Sequence, residues 1–151
     1  MDALEQLEQW AGQLLAKLEP SRRRTLVRAI GVDLRRSQQK RIAQQRNPDG
    51  SAYAPRKREK RLRDKAGRIK RGAMFERIRR AKHLKLSTSG DQVSVAFVGR
   101  VARIARVHQE GLTDRVSRDG PRVRYERRQL LGFTREDREQ IRDQLLERLV
   151  P

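Results

Sequence analysis

The chain has no cysteine among its 151 residues, which excludes disulfides and thiolate metal sites and fits a reducing compartment. Aromatic side chains are scarce, with three Phe, two Tyr and one Trp, so a stacking platform for bases has little to build on. Histidine occurs twice, at 83 and 108. No apolar run approaches the ~20 residues needed to span a bilayer. The N-terminus carries Asp2, Glu5 and Glu8, unlike the basic start and apolar stretch of a signal peptide. The chain therefore reads as made and used in a cytoplasm, or in something assembled there. Acidic residues are also few: 19 face 38 Lys and Arg, leaving a net charge of +19.

The positive charge is unevenly placed. Residues 56–82 hold fourteen cations against Glu59, Asp64 and Glu76, a local excess of eleven. Charges this dense repel one another unless an anion lies nearby. Leu, Ile, Val and Phe together make up about 23% of the chain, just above the ~20% below which highly charged chains lose their fold. One domain with a thin core is the simplest reading, and part of the chain could gain order only in an assembly. Arginine outnumbers lysine 30 to 8. Its planar fork suits interfaces, although a GC-rich genome would give the same bias.

Hydrophobic spacing predicts an α+β chain. Leu4, Leu7, Ala11, Leu14 and Leu18 recur at helical intervals, giving a helix over 3–18 capped by Asp2 and ended by Glu19-Pro20. Ser21 offers a cap for a second helix over 22–45, with Leu26, Val27, Ile30, Leu34 and Ile42 on one side and a polar second half. Asn47-Pro48-Asp49-Gly50 is a turn signal. The two helices suggest a helical hairpin. A basic arm over about 54–72 lacks any apolar stripe, and Met74, Phe75 and Ile78 suggest a short helix over 73–82. Leu84–Ser89 and Gln92–Val98 alternate as strands around Gly90-Asp91. Helical spacing returns over 100–109, with Gly111 as its C-terminal cap. Residues 112–121 read as a loop, 123–126 as a third strand of a small antiparallel sheet. Thr134 and Asp137 have capping-box spacing before a last helix with Ile141, Leu145 and Leu149 on one face.

Catalysis has little support in this sequence. No nucleophile elbow, glycine-rich phosphate loop or HExxH motif is present, and no cofactor or metal is implied. His83 reads as a solvated contact residue and His108 as a packing residue. The carboxylates sit three or four residues from arginines, as Glu139 does from Arg135 and Arg142, and read as surface ion pairs. The basic arm has three readings: a solvated charged face, a phosphate-binding element, or a segment that docks on acidic protein. No aromatic residue interrupts 56–74, so nucleic acid could be held only through phosphates.

Ser37-Gln38-Gln39-Lys40-Arg41-Ile42, then Asn47-Pro48-Asp49-Gly50, Tyr53 and Arg56-Lys57-Arg58, resemble the front half of the phage virion morphogenesis family. Lys65-Ala66-Gly67-Arg68-Ile69-Lys70 and Met74-Phe75 fit the same pattern. So do residues 105–112 and Tyr125-Glu126 with Arg128-Gln129-Leu130-Leu131-Gly132-Phe133-Thr134. The resemblance runs from about residue 4 to the last helix, through motifs that are specific in order and spacing.

The resemblance implies a non-enzymatic structural protein with a single domain over 1–151. It would finish the head-proximal end of a tail, as a hexameric ring, and prepare it for joining to the head. Implied partners are itself, tail tube, sheath or tail terminator proteins, head-neck connector proteins, and phage DNA in the lumen, with no membrane. Its place would be the tail neck of a virion or of a headless tail-like particle, assembled in the host bacterial cytoplasm. The arm cations Arg56, Lys57, Arg58, Lys60, Arg61, Arg63, Arg68, Lys70 and Arg71 would grip a neighbour. His108, Gln109, Gly111, Tyr125, Leu131 and Gly132 would lie near the subunit interface, beside the small sheet. The alternative is a cytoplasmic nucleic-acid-binding protein using the arm on phosphates.

Overall fold

The first helix, α1 (Ala3–Leu15), starts where Asp2 accepts the Glu5 N–H at 2.7 Å, satisfying one of the donors that a helix start leaves open. The second, α2 (Pro20–Ala43), begins with proline in its first turn, where the ring fits and no N–H is missed. Its N-cap is therefore Glu19 rather than Ser21, which lies inside the helix. The strands β1 (Leu84–Ser89) and β2 (Gln92–Phe97) form an antiparallel hairpin with Leu84 opposite Phe97 and Ser89 opposite Gln92. The third helix, α3 (Val101–Glu110), ends at Gly111 with φ 66°, a conformation that costs glycine little. Two three-residue strands, β3 (Thr113–Arg115) and β4 (Arg122–Arg124), pair as a second hairpin. The last helix, α4 (Arg135–Leu149), carries a reciprocal cap: Asp137 N–H donates to Thr134 Oγ1 at 2.9 Å and Thr134 N–H to Asp137 Oδ2 at 3.0 Å. This computed structural model describes residues 2–56 and 72–149.

The α+β class holds, with the β-structure divided into two separate hairpins. Two hydrophobic clusters organise the described residues. In the first, Leu26 and Ile30 of α2 meet Leu145 of α4, with Trp10, Ala11, Leu15, Leu18 and Ile141 around them. Both α1 and α2 pack on α4, which joins their apolar faces into one cluster. The second cluster, at the far end of α2, holds Ile42, Tyr53, Met74, Ala105 and Leu130, with Phe75, Ile78 and Phe97 against it.

Two further sequence expectations fail here. Residues 74–82 form a series of turns rather than a helix. Met74 has both of its backbone groups bonded to the Gln45 side chain, and Phe75 has φ 68°, so the first helical turn cannot close. The polar run 112–121 contains β3, which is bonded to β4 where a loop was expected. The basic arm lies largely outside the described residues.

Gly31 sets how closely α2 approaches the first hairpin. A Cβ built there would sit 2.5 Å from Leu86 Cδ1 and closer still to Val93. Gly31→Val is expected to destabilise the protein by about 1–3 kcal/mol through overpacking, read as a lower urea midpoint with an unchanged slope. An unchanged midpoint would show that the hairpin is not seated on α2.

Candidate functional site

Residues 125–134 cross the molecule without regular secondary structure, so their backbone groups need partners from elsewhere. Side chains supply most of them. Gln109 Oε1 accepts from the N–H groups of Leu130 and Leu131 at 2.8 and 2.9 Å, and its Nε2 donates to Leu131 O at 2.9 Å. Asn47 Oδ1 accepts from Gln129 N–H at 2.9 Å, and Gln38 Oε1 from Gly132 N–H at 3.1 Å. The Tyr53 hydroxyl donates to Gln129 O at 2.8 Å. These side chains together replace the neighbouring strand that the segment does not have.

Arg41 closes this polar clasp. It is 6% exposed. Its guanidinium donates to Leu130 O at 2.7 Å, to Gln129 O and Arg46 O at 3.0 Å each, and to Gln38 Oε1 at 2.6 Å. All four acceptors are neutral oxygens, and the planar fork reaches two carbonyls of the crossing segment at once.

The clasp also fixes the backbone on both sides of residues 57–71. Arg128, 5% exposed, donates to Ala54 O at 2.8 Å and to Pro55 O at 3.1 Å. On the other side, Gln45 accepts from Met74 N–H at 2.8 Å and donates to Met74 O at 2.9 Å. Between them runs an edge-to-face ring ladder. Tyr53 meets Phe75 at 5.7 Å, Phe75 meets His108 at 4.8 Å, and His108 meets Tyr125 at 5.0 Å between centroids. Phe75 adopts its left-handed backbone, φ 68°, a rare conformation for a bulky residue, where its ring bridges Tyr53 and His108.

Burial, reinforced by the Arg128 and Arg56 charges, depresses the His108 pKa from 6.5 to about 4. Arg128 approaches His108 Nδ1 at 3.4 Å, which suits the neutral ring. Because the folded pKa lies below the unfolded value, stability is full above pH 6.5 and falls as the pH drops toward 4. Discounted for solvent screening of a half-buried ring, the loss is about 1–2 kcal/mol. His108→Phe should flatten that part of the stability–pH profile, measured by urea unfolding between pH 7 and 4. A variant with the same acid slope as the parent would contradict this assignment.

Of the residues singled out from sequence, His108, Gln109, Leu131 and Gly132 meet in or beside the clasp, with Tyr125 at the end of the ladder. Gly132 is forced small, because a Cβ there would lie 2.5 Å from Pro48 Cγ. Gly111 caps α3 and abuts the Arg127 backbone, 3.2 Å from where its Cβ would be. Arg56 is exposed at the edge of the described chain, whereas Lys57, Arg58, Lys60, Arg61, Arg63, Arg68, Lys70 and Arg71 lie outside the described residues. Sequence reading, which saw only a polar second half in this helix, missed the buried work of Gln38 and Arg41 and that of half-buried Gln45 just past the end of α2. The available signal was spacing, since Gln38 and Arg41 continue at i+4 and i+7 from Leu34 the stripe begun by Leu26 and Ile30.

Beside the clasp, a groove of about 950 Å³ opens between α2, the Asn47–Gly50 turn and the start of α4. Arg36, Lys40, Arg46 and Arg138 line it together with Asp33 and Glu136. Among the described residues, no group of His, Asp or Glu could hold a metal ion, and no helix is long and apolar enough to cross a membrane. The arrangement positions backbone: Ser37 Oγ donates to Asp137 Oδ1 beside the groove, and Asp137 itself caps α4.

The chain is 39% identical over 150 residues to tail completion protein S of Escherichia phage P2, covering 99% of each chain. No solved structure matches it. The phage virion morphogenesis family matches residues 2–150, and the chain belongs to that family.

Proposed function

We propose that this protein is a structural part of a phage tail. It completes the head-proximal end as a ring and readies the tail to join the head. The observation that carries this reading is the clasp. The motifs that resemble the family converge on one network, and that network holds the chain on both sides of the most basic segment. A rigid mount for a charged docking element suits an assembly protein. The name of the phage P2 relative points to the same role, and the buried polar groups are spent on backbone rather than on a substrate.

Charge supports a partner as well. Subunits of +19 repel one another in a ring unless acidic protein or DNA offsets them. Docking of the basic arm would supply such contacts. Replacing Arg56, Lys57, Arg58, Lys60 and Arg61 with Ser should leave the thermal transition nearly unchanged while blocking completion of infectious particles. Unfolding of that variant at room temperature would make the segment part of the core and defeat the docking role.

The excess of eleven positive charges over 56–82 favours one second reading, phosphate binding to nucleic acid. A salt titration against random duplex DNA separates the two. Micromolar or tighter binding that falls steeply with log salt would favour nucleic acid. Saturable binding to tail tubes with little DNA affinity would favour the tail.

A further inference from the structure

The β3–β4 ribbon carries a charge pattern that is unfavourable in an isolated subunit. Its register sets Arg115 directly opposite Arg122, with Arg124 next on the same face. All three are exposed. Like charges opposite each other on a ribbon repel, and three residue pairs offer little to offset that. The other face of the ribbon is already engaged, since Arg103 of α3 bonds Asp114 at 2.7 Å. Flanking β3 at either end are the exposed apolar residues Leu112 and Val116, 38 and 52% exposed. The surface thus combines exposed guanidiniums, only Arg122 of which lies near the Asp114 carboxylate, with uncovered hydrocarbon.

The same chain carries the opposite pattern on α4. Glu136, Glu139, Asp143 and Glu147 fall on one exposed stripe of that helix. Carboxylates at i, i+4 spacing, as in Glu139, Asp143 and Glu147, repel one another. Arg135 pairs with Glu139 at 3.1 Å. Leu146, 44% exposed, stands beside the stripe. Packed against α4 is α1, whose residues 2–16 contain three acids and no cation. Although α4 also carries Arg135, Arg138, Arg142 and Arg148, its exposed 136/139/143/147 stripe is all carboxylate.

We propose that these two surfaces meet between copies: the carboxylate stripe of α4 in one subunit docks on the arginine face of the β3–β4 ribbon in the next. Each like-charge array relieves the other, and Leu146 gains an apolar partner at the ribbon edge. Because the two surfaces differ, the contact is head-to-tail, the geometry that closes into rings. The inference rests on the ring reading above and names the faces that build it. A polyanion on the ribbon is the competing occupant.

The test uses the full chain and sedimentation velocity at low and high salt. The parent should self-associate, and more weakly as salt rises. Arg122→Glu with Arg124→Glu, and separately Asp143→Arg with Glu147→Arg, should each weaken association about tenfold or more by placing like charges in contact. Circular dichroism should show both variants folded, since Arg122→Glu places an acid opposite Arg115. Mixing the two variants should restore association, because each then meets a complementary face on the other. Association of either variant at parental strength, or failure of the mixture, would overturn the pairing while leaving a ring possible. A parent that stays monomeric at every concentration would overturn the ring reading as well. Loss of duplex DNA binding by the ribbon variant, with self-association intact, would assign the face to a polyanion and overturn the proposal.

Discussion

Replacing Arg41 with Leu should destabilise the fold by about 3–5 kcal/mol, the most severe effect expected of any exchange in the polar half of α2. The substitution keeps hydrocarbon in place and strips donors from the carbonyls of Arg46, Gln129 and Leu130 and from Gln38 Oε1. Tyr53 still serves Gln129, but Leu130 O loses the guanidinium donor in a dry site, since Leu130 itself is fully buried. For a chain of this length the loss corresponds to a fall in Tm of about 10 °C. Arg41→Lys should recover only a minor part, because an ammonium on a flexible stem cannot span acceptors spread on both sides of a planar fork. Urea denaturation of the two variants checks both statements. A Leu variant within 1 kcal/mol of the parent, taken as about the edge of a typical surface exchange, would mean that Arg41 does not close the clasp.

The second large effect concerns the two clusters. Leu130→Ala and Leu145→Ala should each cost about 2–5 kcal/mol, since each truncates a side chain with no solvent exposure to speak of, 0 and 1%. The clusters share no residue. The double variant should therefore be additive within about 0.5 kcal/mol if the two-cluster account holds. Coupling well beyond that would show one continuous core. Leu130 also lies in the segment that the clasp holds, so its truncation should impair particle completion more than Leu145→Ala of equal stability.

Much of the fold was legible in the sequence because its signals are local. Asp2, the Gly90-Asp91 turn, Gly111 and the Thr134–Asp137 box each act within a few residues of the backbone groups they serve. The clasp was not legible in the same way. Arg41 serves carbonyls 88 and 89 positions away, and Gln109 serves a segment 21 and 22 positions on. Spacing can show that Gln38 and Arg41 continue the apolar stripe of α2, but not which distant backbone groups they serve. The helix expected over 73–82 failed for a related reason: periodicity registered Met74, Phe75 and Ile78 as one apolar face, while Gln45 had taken the Met74 backbone groups. The family resemblance registered these residues as motifs without saying what they do. The structure gives their physical task, which is to supply hydrogen bonds to a crossing strand that has no sheet.

The central claim is that this molecule finishes the tail at the end that meets the head. Cryo-electron microscopy of purified tails tests it most directly, comparing tails made with the parent and with the five-residue serine variant of the basic arm. The account predicts a closed ring of this protein at the head-proximal end of parental tails, absent from the variant tails. Parental tails that lack the protein, or that carry it at the opposite end, would contradict it.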